Sequence, residues 1–139
     1  MAQSQVATAR RRTANAVYTL NYHLVWCTKY RHPVLTGGID EVLKQLLSRI
    51  AAERGYTILA LEVMPDHVHL FISAPPMVAP AAIAKHLKGA SAHYLFQKFP
   101  QLTRTHWSGH LWSPSYYVGS AGEVSAETIQ RYIAMQKGR

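Results

Sequence analysis

The chain has 139 residues, enough for one domain with its own core and without crosslinks. Its single cysteine, Cys27, excludes an internal disulfide and a Cys-x-x-Cys zinc site, and no apolar run approaches the ~20 residues of a membrane span. Fifteen Lys and Arg against seven Asp and Glu leave a net charge of +8 with histidine neutral, which favours polyanionic partners without choosing among them.

Residues 1–15 are polar and Ala-rich and read as a flexible basic arm carrying Arg10, Arg11 and Arg12. They lack the apolar stretch of a secretion signal, so the expected location is the cytoplasm, without membrane attachment. Residues 16–139 read as one domain. Tyr18 to Thr28 alternates Tyr18, Leu20, Tyr22, Leu24 and Trp26 on one face, the period of a strand. Ile39 to Arg54 repeats Ile39, Val42, Leu43, Leu46, Leu47 and Ile50 at helical spacing, and Gly55 follows where a C-terminal cap belongs. Tyr56 to Val63 and His67 to Ser73 predict two strands joined through Met64-Pro65-Asp66.

Beyond Pro75, Pro76 and Pro80, Ala81 to Gln97 predicts a second helix with Ile83, Leu87, Ala90 and Tyr94 on one side. Leu111 to Val118 predicts a fourth strand, with Pro114 marking an edge or a bulge. A last helix, capped by Ser125 with Glu127 in its first turn, is expected to run to about Gln136. The order is βαββαβ plus a helix, an α+β fold of ferredoxin-like type: an antiparallel sheet with helices on one face and the other face open for a site.

The chemistry concentrates in two places. His67 and His69 are two apart on a strand, so both imidazoles leave the same face while Val68, Leu70 and Ile72 enter the core. That geometry suits two ligands of one cation, although two isolated histidines on a strand are more often idle surface groups. Tyr132 and Gln136 are four apart on the last helix and share its face. If that helix packs over the open face, Gln136 offers a neutral oxygen ligand and Tyr132 a nucleophile. A tyrosine ester with phosphorus keeps the bond energy of the phosphodiester, so a DNA hydroxyl can reverse it. The His pair leans towards tolerance of Mn²⁺ beside Mg²⁺.

Met64-Pro65-Asp66-His67-Val68-His69-Leu70 resembles the His-hydrophobic-His motif of the HUH endonucleases. The flanking segments Tyr22-His23-Leu24-Val25-Trp26-Cys27-Thr28-Lys29-Tyr30-Arg31, Leu87-Lys88-Gly89-Ala90-Ser91 and Leu111-Trp112-Ser113-Pro114-Ser115-Tyr116-Tyr117 resemble the small single-tyrosine transposases (TnpA type) of minimal insertion sequences. The match spans roughly Tyr18 to Gln136. The resemblance implies a homodimer that cleaves and rejoins single-stranded DNA at hairpin-bearing element ends. It implies a covalent 5′-phosphotyrosine and one divalent ion, Mg²⁺ or Mn²⁺, per active site. It assigns metal binding to His67, His69 and Gln136 and nucleophilic attack to Tyr132, on DNA in the cytoplasm or nucleoid.

Lys29, Arg31, Lys85, Lys88 and Arg104 are candidates for contact with the DNA backbone. Asp66 either orients an imidazole or caps the Pro-Asp turn. Tyr116 and Tyr117 compete as nucleophiles but sit where packing is the usual task, and core burial is the expectation for Trp107 and Trp112. His23, His86, His93, His106 and His110 show no ligand spacing and read as structural. The competing functions are a non-catalytic RNA-binding module, a metal-dependent hydrolase using water, and a domesticated or inactive relative that only binds hairpin DNA.

Overall fold

The computed structural model describes residues 11–12, 17–18, 20–105, 109–120, 131–132 and 134–135. Most of the predicted last helix, including Ser125, Glu127 and Gln136, lies outside the described residues, as do Arg10, His106 and Trp107.

Two very short strands come first, β1 (Arg11–Arg12) and β2 (Val17–Tyr18), paired antiparallel with each other. Tyr18 therefore belongs to this small ladder and not to the long strand predicted to begin there. That strand, β3 (Asn21–Cys27), leads through a 3₁₀ turn at Lys29–Arg31 to α1 (Ile39–Glu53). The hairpin β4 (Thr57–Met64) and β5 (His67–Ser73) follows, then α2 (Pro80–Lys98), the short α3 (Gln101–Thr105) and β6 (Tyr117–Ser120). The four-stranded antiparallel sheet has the order β4-β5-β3-β6. β5 returns from the hairpin to lie between β4 and β3, and α2 carries the chain to the far side of β3. This is the split βαβ arrangement that the element order predicts.

Local chemistry explains the ends of the elements. Gly38, at φ 97°, precedes α1, and Asp40 and Glu41 place negative charge in the first turn, where the helix dipole favours it. Gly55, at φ 77°, stops the helix in the left-handed conformation that glycine adopts without strain. Pro80 opens α2 at a position that needs no amide donor.

The core lies between the sheet and the two long helices. Leu24 and Trp26 of β3 and Val68, Leu70 and Ile72 of β5 pack with Leu43, Leu47 and Ile50 of α1 and Ile83, Leu87 and Leu95 of α2. The buried stripe of α2 also takes in Ala84 and Ser91, which leaves Tyr94 exposed instead of on the packed side predicted for it. β4 has one residue more than its partner: Ile58 faces Ile72 and Ala60 faces Phe71, with Leu59 bulged out between them. Among the described residues no helix is long and apolar enough to cross a membrane.

The predicted strand at Leu111–Val118 is displaced. The ladder with β3 begins only at Tyr117, and Trp112 forms an isolated bridge with Thr28. Pro114 has no amide to donate, and the carbonyls of Ser113 and Ser115 accept from the Lys88 ammonium at 2.8 and 3.0 Å instead of joining a ladder. Trp112 is buried in the core, meeting Trp26 edge to face and donating its indole N–H to the Lys88 carbonyl at 3.0 Å.

His86 of α2 joins the two helices. Arg54 can only donate, so His86 Nε2 accepts from it at 3.2 Å and the Nδ1–H donates to the Tyr56 hydroxyl at 2.7 Å. Burial, then the Arg54 and Lys85 charges, hold the His86 pKa below 6.5, so the folded state resists protonating it. Its contribution is complete above pH 6.5, the value without these neighbours, and is lost as pH falls through the lower folded value. Urea unfolding is therefore expected to show a larger loss of stability between about pH 7.5 and about pH 5 in the wild type than in His86→Gln.

Candidate active site

The pleat of β5 turns His67, His69 and Phe71 away from the core that Val68, Leu70 and Ile72 fill. Residues paired across an antiparallel sheet share a face. One row of this second face therefore reads Glu62, His69, Val25 and Tyr117, and the neighbouring row reads Met64, His67 and Cys27. The predicted pair is thus brought together, with ring centroids 5.2 Å apart. The face is not uniformly open: Val25 and Cys27 are fully buried, while the two histidines are partly exposed.

Asp66 fixes the first histidine. Its carboxylate accepts from His67 Nδ1–H at 2.7 Å and from Arg31 Nε at 3.0 Å. With Nδ1 carrying the proton, the lone pair of His67 is on Nε2. Burial alone would raise the Asp66 pKa, but the hydrogen bonds from His67 and Arg31 outweigh it and hold the carboxyl below its usual range. Orientation of the imidazole is therefore what Asp66 does here, the first of the two roles open to it in the sequence. His69 is kept neutral by burial and then by the adjoining His67, against the opposing pull of Glu62.

His23, which its spacing leaves as a structural histidine, belongs to this face too. It stacks on Phe71 with centroids 4.3 Å apart and meets His69 edge-on at 5.4 Å. Among the described residues neither ring nitrogen has a hydrogen-bond partner. Burial, with help from His69, lowers its pKa to about 4, so it is a neutral wall behind His69. Alternation with Leu24 places His23 on the face opposite the core, but its place beside His69 follows only from the register that pairs it with Phe71.

Tyr132, within helical residues Arg131–Tyr132, packs on Tyr117 with centroids 6.2 Å apart, and its hydroxyl lies 3.1 Å from Ser115 Oγ. Tyr117 occupies the same row as His69, two strands away, a separation of roughly 10 Å. The tyrosine thus stands at the β6 edge of the row that holds His69. Tyr117 itself supports this ring, and Tyr116 lies near the Lys88 ammonium, 5.9 Å from its ring centroid. Gln136 lies outside the described residues. Among the described residues no three His, Cys, Asp or Glu side chains form a metal-binding group.

The five candidate cations divide by geometry. Lys85 and Arg104 are exposed on α2 and α3, and the Lys29 ammonium lies over the Tyr30 ring, 5.2 Å from its centroid. Arg31 is engaged with Asp66. Lys88 is not the surface cation that its position in the sequence suggests. Burial pulls its pKa down to about 8, against the influence of the Cys27 thiol, and its ammonium holds the segment before β6 through two carbonyls. Burial likewise raises the Cys27 thiol to about 11, which rules out a thiolate nucleophile at neutral pH.

The turn at Lys29–Arg31 is strained. Tyr30 and Arg31 have φ values of 55° and 54°, a left-handed pair without glycine. Each such residue costs on the order of 1–2 kcal/mol. Backbone bonds from Thr28 N to Asp66 O and from Lys29 N to Leu111 O, with the Arg31–Asp66 ion pair, hold it in place.

The sheet thus carries an adjacent histidine pair, one ring fixed by Asp66, and a tyrosine at its β6 edge. The chain belongs to the IS200-like transposases: residues 16–136 match the family described as "Transposase IS200 like". The ISDra2 transposase TnpA of Deinococcus radiodurans is 49% identical over 120 residues, 86% of each chain. The transposase for insertion sequence element IS200 of Salmonella typhimurium is 28% identical over 123 residues, 88% of this chain and 80% of that one. A crystal structure of a Deinococcus radiodurans R1 protein assigned as a transposase superposes with a TM-score of 0.86 at 45% identity, covering 93% of this chain and 99% of that one. A REP-associated tyrosine transposase, solved bound to a REP hairpin, shares the fold, with a TM-score of 0.54 at 12% identity over 88% of this chain and 67% of that one.

Lys88→Met keeps the apolar stem but removes the donor to both carbonyls. It is expected to lower stability by about 2 kcal/mol in urea unfolding and to speed amide exchange between Trp112 and Tyr117.

Proposed function

We propose that this transposase cleaves and rejoins single-stranded DNA at the ends of its insertion sequence through a covalent link to Tyr132. The observation that carries the reading is the adjacent His67 and His69, the first oriented by Asp66 and the second on the row of the sheet whose edge holds Tyr132.

In the proposed step the Tyr132 phenol loses its proton and its oxygen attacks phosphorus. The O–P bond forms as the bond from phosphorus to the 3′-oxygen breaks, and that oxygen takes a proton. The products are a 5′-phosphotyrosine and a free 3′-hydroxyl. A second 3′-hydroxyl reverses the step, so rejoining needs no external energy source.

The donor chemistry fits a divalent cation. His67 Nε2 is available because Asp66 holds the Nδ1 proton, and His69 is held neutral beside it. His67 and His69 would hold Mg²⁺ or Mn²⁺, with Gln136 as the proposed third donor. When bound, the ion would stabilise negative charge developing at the scissile phosphate. The chain's own residues orient the ligands and present the phenol.

The proposed partners are single-stranded DNA with hairpin ends and a second copy of the chain, with work done on DNA in the cytoplasm. Lys29, Lys85 and Arg104 are the proposed phosphate contacts. Family membership and the 49% identity with a TnpA transposase support this reading, as does the shared fold of a transposase solved with a hairpin.

The test is a denaturing gel of the protein with labelled single strands from its own element ends and Mn²⁺. A covalent band is expected in the wild type and absent from both Tyr132→Phe and His67→Ala, each of which still binds DNA. Free cleaved strands without an adduct would replace this reading with hydrolysis by water, and binding without cleavage would replace it with a hairpin-binding relative. Separately, Asp66→Asn is expected to weaken Mn²⁺ affinity about 10–100-fold, measured by titration calorimetry without DNA.

A further inference from the structure

The turn at Lys29–Arg31 is held more firmly than a connection between β3 and α1 requires. Its backbone closes on itself, with Arg31 N donating to Thr28 O at 2.9 Å and His32 N to Lys29 O at 3.2 Å. The Thr28 hydroxyl donates to His32 O at 2.8 Å. It is fastened outward to two other segments, through Lys29 N to Leu111 O at 2.8 Å and Thr28 N to Asp66 O at 3.0 Å. Arg31 reaches the same carboxylate that orients His67. This framework keeps two consecutive non-glycine residues in the left-handed region.

What the strained turn displays is an aromatic ring. Tyr30 is 39% exposed although every residue of the adjoining half of β3, from His23 to Cys27, is buried. The Lys29 ammonium lies 5.2 Å from its centroid and the His32 ring 5.8 Å away. The turn begins two residues after Cys27, which is paired with His67. An exposed ring with a cation over it, on a rigid support at the His67 end of the sheet, has the chemistry that receives an unpaired base and its phosphate. Strain kept at such a position points to function rather than to connection.

We propose that Tyr30 is a stacking platform for an unpaired nucleobase of the DNA strand next to the His67 end of the sheet, with Lys29 on the adjoining phosphate. The inference rests on the single-stranded DNA reading above. Stacking on a ring face tolerates any base, so the platform grips the strand without reading its sequence. The phenol oxygen is dispensable to it, whereas the ring is not.

The experiment measures binding of a fluorescein-labelled, randomised single-stranded DNA pool by anisotropy, with a duplex of the same length as control. The full-length wild type, Tyr30→Ala and Tyr30→Phe are compared, with melting curves to confirm that each folds. Tyr30→Ala is expected to bind the single strands roughly five- to a hundredfold more weakly with its duplex affinity unchanged, while Tyr30→Phe stays near the wild type. Unchanged single-strand binding by Tyr30→Ala, or a loss as large in Tyr30→Phe, overturns the platform alone. A wild type that binds single strands no better than duplex overturns the reading it rests on, and the platform with it.

Discussion

The pleat of β5 couples core to chemistry. Because successive side chains leave opposite faces, seating Val68, Leu70 and Ile72 against the helices leaves His67, His69 and Phe71 no other direction to point. A slip of one residue would exchange the two sets, burying imidazoles among leucines and exposing the apolar stripe. Seven consecutive pairs with β3, from Asn21–Ser73 to Cys27–His67, resist such a slip. The cohesion of the core is therefore also what holds the histidine pair in position.

Asp66 extends that logic beyond the sheet. It stands in the tight β4–β5 connection, so its place is set by the hairpin, and its two oxygens reach in different directions. One selects the tautomer of His67 and the other secures Arg31 at the end of the strained turn. Its backbone carbonyl takes the Thr28 amide, which closes the same corner from the other side. Lys88 does comparable work on the opposite flank: a cation drawn into the protein to hold the segment that leads to Tyr117, against which Tyr132 rests.

Periodicity made much of this legible. The run His67 to Ser73 alternates so regularly that strand, faces and paired imidazoles follow from the residues alone, and the spacing in Ile39 to Ile50 places α1 and its buried side. What remained hidden depends on contacts between distant residues. No local pattern says that Lys88 will capture the Ser113 and Ser115 carbonyls, so the strand expected from Leu111 starts only at Tyr117. The clasp of Arg54, Tyr56 and His86, and the stacking of His23 on Phe71, likewise need the tertiary fold before they exist. The family resemblance supplied what periodicity could not, a reason to take Tyr132 as a candidate nucleophile and not as a surface ring.

The bulge at Leu59 has a bearing on what the border of the sheet can pair with. β4 closes one side of the sheet, and a segment rich in Ile58, Leu59, Leu61 and Val63 at such a border is a ready template for another chain to extend. One surplus residue interrupts the regular spacing of its outward amides and carbonyls and twists the strand locally. An incoming strand would match it on one side of Leu59 and fall out of step on the other. The irregularity thus blunts a sticky border while the apolar side chains needed for packing stay in place.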